Sequence, residues 1–234
     1  MTFRELIYMV LDRLKATSDD SYYTEDHIKS LLNTYRSKLI QDAYSSIKKE
    51  IPQSYYQCIT LPLEYTTSVA GAPCVGGRYL RSINKVPKWL PVASPIIYPV
   101  DVLTGLNMTK VPITRFRFIG DNKWFNNIIY FSLGPDNILY CKSNNPQFKY
   151  LEKISIYAVF EDTEEAEKLS CCSCEDTKCS PLDKPFPIEE ALIPTLLDIV
   201  ISALNSSVYR PIDDNNDSTD DLPNAARHQA SQVN

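Results

Sequence analysis

Four cysteines lie close together late in the 234-residue chain, at Cys171, Cys172, Cys174 and Cys179. Four thiolates can close a tetrahedral zinc site, which would indicate a zinc-stabilised regulatory or nucleic-acid-binding protein. However, the spacing does not give the usual pair of CxxC knuckles, and no histidine lies near the cluster. We therefore interpret the four as free or loop-packed thiols, predict no metal or cofactor, and keep the zinc protein as the alternative.

A second candidate for metal binding is the acidic stretch near the C-terminus. Asp213, Asn215 and Asp217 match the opening positions of a calcium-binding loop. Ser218 stands where that loop requires glycine, and Asn224 stands where it requires a bidentate glutamate. A solvated acidic segment explains the stretch better than a calcium site.

No catalytic arrangement is indicated elsewhere in the sequence. The glycine-containing stretch 71–78 lacks the Lys and the following Ser or Thr of a phosphate-binding loop. The two histidines, His27 and His228, have no nucleophile signature around them. Glu164 and Glu165 belong to a charge run rather than to an apolar wall that would favour acid–base chemistry. We therefore predict that the protein is not an enzyme.

Basic and aromatic residues alternate at Arg115, Phe116, Arg117 and Phe118. Such residues can stack on bases and pair with phosphates. The formal net charge of −5 and the pI of about 5.1 argue against a chain whose main surface binds nucleic acid. We interpret the stretch as an antiparallel strand with Phe on one face and Arg on the other. Protein partners are then the default expectation.

Two amphipathic helices are predicted at the N-terminus. Thr2 and Glu5 form a capping box for the first helix, which ends near Lys15. Thr24 is a good N-cap for the second helix, whose apolar stripe continues to Ile47. Because the turn between them is short, the two helices should be antiparallel neighbours.

From residue 55 onward the apolar period changes from helical to alternating. Strand-like runs occur at 79–83, 113–118, 128–132, 138–141 and 154–160, separated by turn signals. The proline-studded segment 86–100 is too long for an ordinary hairpin connection, so it is a candidate for projecting to a neighbour. We predict an inserted antiparallel β-domain.

An apolar run from Ile188 to Leu204 predicts the last helix, because its apolar residues fall at helical spacing. Pro194 lies inside this pattern and either bends the helix or marks its true start. The remaining segment has few apolar residues and five aspartates between Asp213 and Asp221. It is predicted to be an extended arm that orders on a partner.

Together these elements predict an α+β fold. A three-helix bundle, made of the N-terminal helical hairpin and the C-terminal helix, carries an inserted antiparallel β-domain and an extended C-terminal arm. The predicted boundaries are 1–52 for the hairpin, 53–168 for the β-domain, 169–206 for the cysteine-containing loop and returning helix that completes the bundle, and 207–234 for the arm. No stretch reaches the roughly 20 apolar residues of a membrane span, so no membrane contact is predicted.

Both ends of the chain carry a family resemblance. The opening FRELIYMVLDRLKATSDDSYYTEDHIKSLLNTYRSKLI, the following KKEIP, the helix FPIEEALIPTLLDIV and the tail YRPIDDNNDSTDDL are similar to structural ring proteins of crAss-like phages. More broadly, the order of helical hairpin, insertion, helix and tail resembles the head-to-tail connector, or adaptor, proteins of short-tailed bacteriophages. The resemblance covers roughly half of the chain, and it transfers no catalytic residue.

The resemblance implies a structural virion protein in the neck region, synthesised in the host cytoplasm. Such a protein forms a ring, commonly a dodecamer, below the portal and links it to the tail around the DNA channel. The implied partners are further copies of the chain, the portal protein, other connector or tail proteins, and DNA that passes without sequence-specific binding. We predict that the arm forms a protein interface through Tyr209, Arg210, Pro211, Asp213, Asp214, Asp217, Asp220, Asp221 and Leu222.

Overall fold

The structure is a computed structural model, and it describes residues 1–15, 23–45, 50–71, 79–100, 102–106, 108–119, 123–170 and 180–207. The described helices are α1 (Phe3–Lys15), α2 (Glu25–Tyr44), α3 (Thr163–Lys168) and α4 (Ile193–Ser207). The described strands are β1 (Gln57–Thr66), β2 (Tyr79–Ser82), β3 (Ile96–Val100), β4 (Met108–Lys110), β5 (Ile129–Leu133), β6 (Leu139–Lys142) and β7 (Lys153–Ala158). The chain divides into two compact units, Met1–Ile201 and Ser202–Asn234.

The starts of the two N-terminal helices confirm the capping predictions. The backbone N–H of Thr2 donates to Glu5 Oε2 at 2.8 Å, and the N–H of Glu5 donates to Thr2 Oγ1 at 3.2 Å. These reciprocal bonds form a capping box. Thr24 caps α2 by accepting from the N–H of His27. Since both helices begin at local side-chain signals, their starts could be deduced without knowledge of the fold.

Helix α2 presents an unexpected residue to the interior. Its buried positions are Ile28, Leu32, Arg36 and Ile40, which are spaced four residues apart along one face. The Arg36 side chain is fully buried, and it donates to the backbone oxygens of Pro187 at 2.7 Å, Phe160 at 2.8 Å and Tyr55 at 3.5 Å.

The Arg36 guanidinium also lies 5.7 Å from the centre of the Phe186 ring. Burial lowers the pKa of Arg36 to about 9, which still leaves the group charged at neutral pH. One side chain thus fixes α2 to the 3₁₀ turn that precedes β1, to the segment that follows β7 and to the segment that precedes α4.

All seven described strands belong to one sheet, in the order β3-β7-β1-β2-β6-β5-β4. Strand β1 pairs antiparallel with β7 through residues 57–62 and with β2 through residues 63–66. The only parallel pair among the described strands is β4 with β5. The edge strands β3 and β4 also come close to each other, so the sheet is nearly closed.

The main hydrophobic core lies on one face of this sheet. Its buried strand residues include Ile59, Leu61, Leu80, Phe131, Leu139, Cys141, Ile154 and Ile156. They alternate along their strands with residues of the other face, as expected for a sheet that buries one side. Phe160 and Ala166, which lie after β7 and on α3, complete the cluster.

The predicted three-helix bundle with an inserted antiparallel β-domain is wrong. The fold is α+β, but a nearly closed seven-stranded sheet is its central element, accompanied by four described helices. Two of its strands, β3 and β4, lie where no strand was predicted, and the β4–β5 pair is parallel. The prediction failed because helical stripes at the two ends are easy to recognise, whereas short strands with prolines and turns carry a weak pattern.

The predicted strand at 113–118 is also wrong, because Ile113–Phe118 forms a 3₁₀ helix. In this helix Phe116 is buried beside the ring of Tyr79, whereas Phe118 is 73% exposed. The two phenylalanines therefore do not share a face, as a strand would require. Likewise, the proline-studded segment 86–100 contains the edge strand β3 and the buried residues Val86 and Leu90.

The alternative left open for Pro194 is resolved in favour of a true helix start. Helix α4 begins at Ile193, and a short 3₁₀ turn, Glu190–Leu192, precedes it. Proline is tolerated in the first turn of a helix because its missing N–H would have no partner there. The boundary predictions for domains stay predictions.

Candidate interaction surfaces

The interface residues predicted in the arm lie outside the described residues. This applies to Tyr209, Arg210, Pro211, Asp213, Asp214, Asp217, Asp220, Asp221 and Leu222, and equally to Cys171, Cys172, Cys174, Cys179 and His228. Their predicted roles therefore stay predictions. Within the described ranges, no group of three or more His, Cys, Asp or Glu side chains could hold a metal ion.

The crossover between β4 and β5 carries the most exposed aromatic side chains of the described chain. It comprises residues 113–119 and 123–125, and we call it the aromatic crossover. Trp124 is 90% exposed, Phe118 73% and Phe125 49%. Arg115 is exposed as well. Large exposed aromatic side chains are typical of surfaces that contact another protein.

A buried residue anchors this crossover to the sheet. Phe116 packs with Tyr79, Val69 and Tyr140 in a second, smaller cluster on the face of the sheet opposite the main core. Near the start of β5, Ser143 Oγ donates to the carbonyl oxygen of Ile128 at 2.9 Å. Phe116 therefore anchors the crossover, and the chain just after the crossover is bonded to Ser143, while Trp124 stays exposed.

A polar groove lies between α2 and the segment that leads into α3, and we call it the α2–α3 groove. It has a volume of about 490 Å³. Its lining consists of Asp26, Lys29, Ser30, Asn33, Thr34, Ser37, Glu161, Asp162 and Glu164. Four carboxylates and one ammonium group give this lining a formal charge of −3.

Hydrogen bonds fix the walls of the α2–α3 groove. Asp162 caps α3 by accepting from the N–H groups of Glu164 and Glu165, and it also accepts from Asn33 Nδ2 at 3.2 Å. Thr163 Oγ1 donates to Asn33 Oδ1 at 3.0 Å. Asn33 therefore joins the middle of α2 to the start of α3, which holds the groove in one geometry.

The groove and the second half of the crossover lie at opposite ends of the sheet. Strand β7 runs antiparallel to β1, so the groove residues that follow β7 lie beside the start of β1. Strand β6 runs in the same direction as β1, because β2 is antiparallel to both. Residues 123–125 lead into β5 beside the end of β6, and so they lie beyond the other end of the sheet.

A third exposed surface covers the outer face of β1, β7 and β3. The rings of Tyr56 and Tyr157 stack with centres 4.8 Å apart, and Cys58 Sγ lies 3.6 Å from Tyr98 Oη. Ile96 at the edge is 57% exposed. This face is aromatic but carries little charge, and no functional prediction was attached to it.

These surfaces were not found by sequence reasoning. The sequence pattern places Glu164 and Glu165 in a charge run and does not mark Trp124 or Phe125. One signal was available in the sequence: Trp124 and Phe125 follow closely after the basic and aromatic stretch Arg115–Phe118. The sequence gives no local signal that Asp26 and Glu164 line the same groove, because their proximity depends on the tertiary fold.

No described helix is both long enough and apolar enough to cross a membrane. The exposed aromatic surfaces are of the kind that contact other proteins, as expected for a structural protein. The comparison with protein families agrees: the model of the phage tail ring protein 2 family matches residues 5–222. The chain belongs to this family.

The chain is similar to Ring protein 2 of Bacteroides phage crAss001. The two sequences are 50% identical over 225 residues, which cover 96% of this chain and 100% of the relative. The predicted resemblance to crAss-like phage ring proteins is therefore confirmed. The protein is a structural tail ring protein of a bacteriophage, and its place is in the virion.

Proposed function

We propose that the protein forms an oligomeric head-to-tail connector ring below the portal, where it links the portal to the tail around the DNA channel. The observation that carries this proposal is the match of nearly the whole chain to a phage tail ring family. A ring closes through heterologous contacts, in which two different surfaces of each subunit meet. The structure offers several such surfaces on one subunit.

The proposed ring is a dodecamer, and its role is structural rather than enzymatic. Its further partners are the portal protein and other connector or tail proteins. The arm, from Tyr209 onward, is proposed to lie across a neighbouring subunit or the portal. Its five aspartates and few apolar residues suit a segment that gains order only on a partner.

The proposal also covers the passage of DNA. The chain has a formal net charge of −5, so a wall built from it repels the phosphate backbone on balance. DNA would then pass through the channel without sequence-specific binding.

Electron microscopy of the particle neck, combined with mass spectrometry of purified virions, tests the proposed function. We expect twelve copies of the chain in a ring directly below the portal. Absence of the protein from purified virions would refute the function altogether. A ring at another level of the tail would refute the connector position and leave the ring itself intact.

A further inference from the structure

We propose that the aromatic crossover of one subunit docks on the α2–α3 groove of the next copy in the ring. This inference rests on the proposed ring function and specifies the contact that closes the ring. It commits to a second copy of this chain as the occupant of the groove. Four properties of the described residues support it.

The first property is the exposure of the crossover. Trp124, Phe118 and Phe125 are among the ten large hydrophobic residues exposed on the described surface, and they include the two most exposed of all. Aromatic side chains of this kind are the usual anchors of protein interfaces because their burial contributes much of the binding energy. An aromatic cluster on a virion subunit is therefore expected to be covered in the assembly.

The second property is complementary charge. The residues of the aromatic crossover include three basic residues, Arg115, Arg117 and Lys123, and no acidic residue, which gives their sequence a formal charge of +3. The whole chain has a charge of −5, so the rest of it carries −8. The α2–α3 groove, whose lining residues have a formal charge of −3, is an acidic surface of opposite sign on the same chain. Complementary charge favours correct docking and disfavours wrong partners.

The third property is position. Residues 123–125 and the groove lie beyond opposite ends of the sheet, as the strand directions require. A head-to-tail ring needs two different complementary surfaces on separate sides of each subunit. Two surfaces on the same side would favour a closed pair instead.

The fourth property is that the groove carboxylates can exchange partners. Asp26 pairs with Lys29 at 3.1 Å, but the Asp26 side chain is 93% exposed. Glu164 pairs with Lys168 at 3.0 Å, and that lysine side chain is 61% exposed. Ion pairs exposed to water in this way are weak, so an incoming guanidinium or ammonium group can replace the lysine.

Photo-crosslinking within assembled virions tests the contact directly. Trp124 is replaced by benzoylphenylalanine, the particles are irradiated, and the crosslinked peptides are identified by mass spectrometry. We expect dimers of the chain with crosslinks into residues 26–37 or 161–164. The same photoreactive group at Tyr98, an exposed aromatic on β3, serves as the control and should not reach these residues.

Crosslinks from position 124 only to DNA, to another virion protein or to a different part of this chain would overturn the inference, and so would no crosslink at all. Each of these results leaves the ring function standing if the chain still occupies a ring. Absence of the chain from virions would instead refute the function itself, so the two failures are distinguishable.

Charge reversal provides a second, independent test. Arg115→Glu and the double change Asp26→Lys with Glu164→Lys should each weaken subunit association by about tenfold, and combining them should restore most of the loss. Trp124→Ala should weaken association similarly, whereas Tyr65→Ala, which removes an exposed aromatic outside both surfaces, should not. Thermal melting of the isolated variants verifies that they fold. Failure of the combined variant to recover association would contradict the proposed pairing.

Discussion

At the scale of single residues, Arg36 is a charged side chain in the interior of the described fold. It is fully buried and binds three backbone carbonyl oxygens that belong to separate segments of the chain. A charged donor is suited to this role, since one guanidinium offers five N–H groups in a fixed plane. Carbonyl dipoles and the Phe186 ring help to balance its charge. Truncation would leave those carbonyls without their donors.

We predict that Arg36→Met lowers the free energy of unfolding by about 3 kcal/mol, because buried carbonyl oxygens lose charged donors. Equilibrium denaturation measures the change. Arg13→Met is the matched control: Arg13 forms an exposed ion pair with Asp198, at 3.1 Å, and its loss should cost less than about 1 kcal/mol. Equal losses in the free energy of unfolding would contradict this prediction, because they would show that the buried Arg36 contacts stabilise the fold no more than an exposed ion pair does.

The two described free cysteines should differ in reactivity. Cys141 is buried in the main core, and burial raises the pKa of its thiol. Because the thiolate is the reactive form, Cys141 should resist alkylation by iodoacetamide at pH 8 in the folded protein. Cys58 is half-buried and should react faster. Peptide mass spectrometry after timed labelling measures both rates, and denaturant should make them equal. Rapid labelling of Cys141 without denaturant would contradict the structure.

At the scale of elements, the aromatic crossover shows how one buried residue anchors a segment while neighbouring side chains stay exposed to solvent. Phe116 is 1% exposed and lies 5.8 Å, between ring centres, from Tyr79. Phe118, two residues later, is 73% exposed. A 3₁₀ helix separates the two side chains by about two thirds of a turn, whereas a strand would put them on one face.

We predict that Phe116→Ala lowers the free energy of unfolding by about 3–4 kcal/mol, through lost apolar burial and a cavity. Phe118→Ala should change it by less than about 0.5 kcal/mol, because that side chain is largely exposed. The comparison is internally matched, since both substitutions remove the same atoms. Similar losses for both would favour the strand geometry and contradict the 3₁₀ helix. Thermal or chemical denaturation of the isolated chain is sufficient.

The sequence predicted the helices well and the sheet poorly, for a physical reason. Helix starts at Thr2 and Thr24 depend on side chains within three residues, so local chemistry determines them. Strand β4 has three residues, and its parallel partner β5 begins 19 positions later at Ile129, so its identity depends on tertiary pairing. In the same way, Arg36 breaks the apolar pattern of α2 although it is buried, because only the folded chain supplies its carbonyl partners.

At the scale of the whole molecule, the described residues already form an extensive core without the arm. The clusters of buried residues lie between Phe3 and Leu204, and the predicted arm follows them. The proposed assembly would therefore add the contacts of the arm to those that the folded part of the chain makes. A segment that lies outside the core can usually be removed without preventing the rest of the chain from folding.

We predict that deletion of Tyr209–Asn234 leaves the fold intact and impairs assembly. The melting temperature of the isolated chain should change little, while incorporation into virions should fall, as measured by quantitative mass spectrometry of purified particles. A second variant replaces the five aspartates of the arm by lysine in the full-length chain. It complements the deletion because it keeps the length of the arm and reverses its charge. A large cooperative loss of thermal stability on deletion would contradict this prediction.

The pairing of strand β1 also determines when the sheet can form during synthesis. It is the first of the described strands, yet one half of it pairs with β7, so that the partner of Gln57 is Ala158, 101 positions later. A nascent chain that ends before Lys153 has no partner for Ile59 and Leu61, and it exposes the strand on which both halves of the sheet depend. Such long-range pairing slows folding and prolongs the lifetime of aggregation-prone intermediates. The yield of folded subunits in the infected cell is thus expected to depend on whether the first 150 or so residues avoid aggregation before β7 emerges from the ribosome.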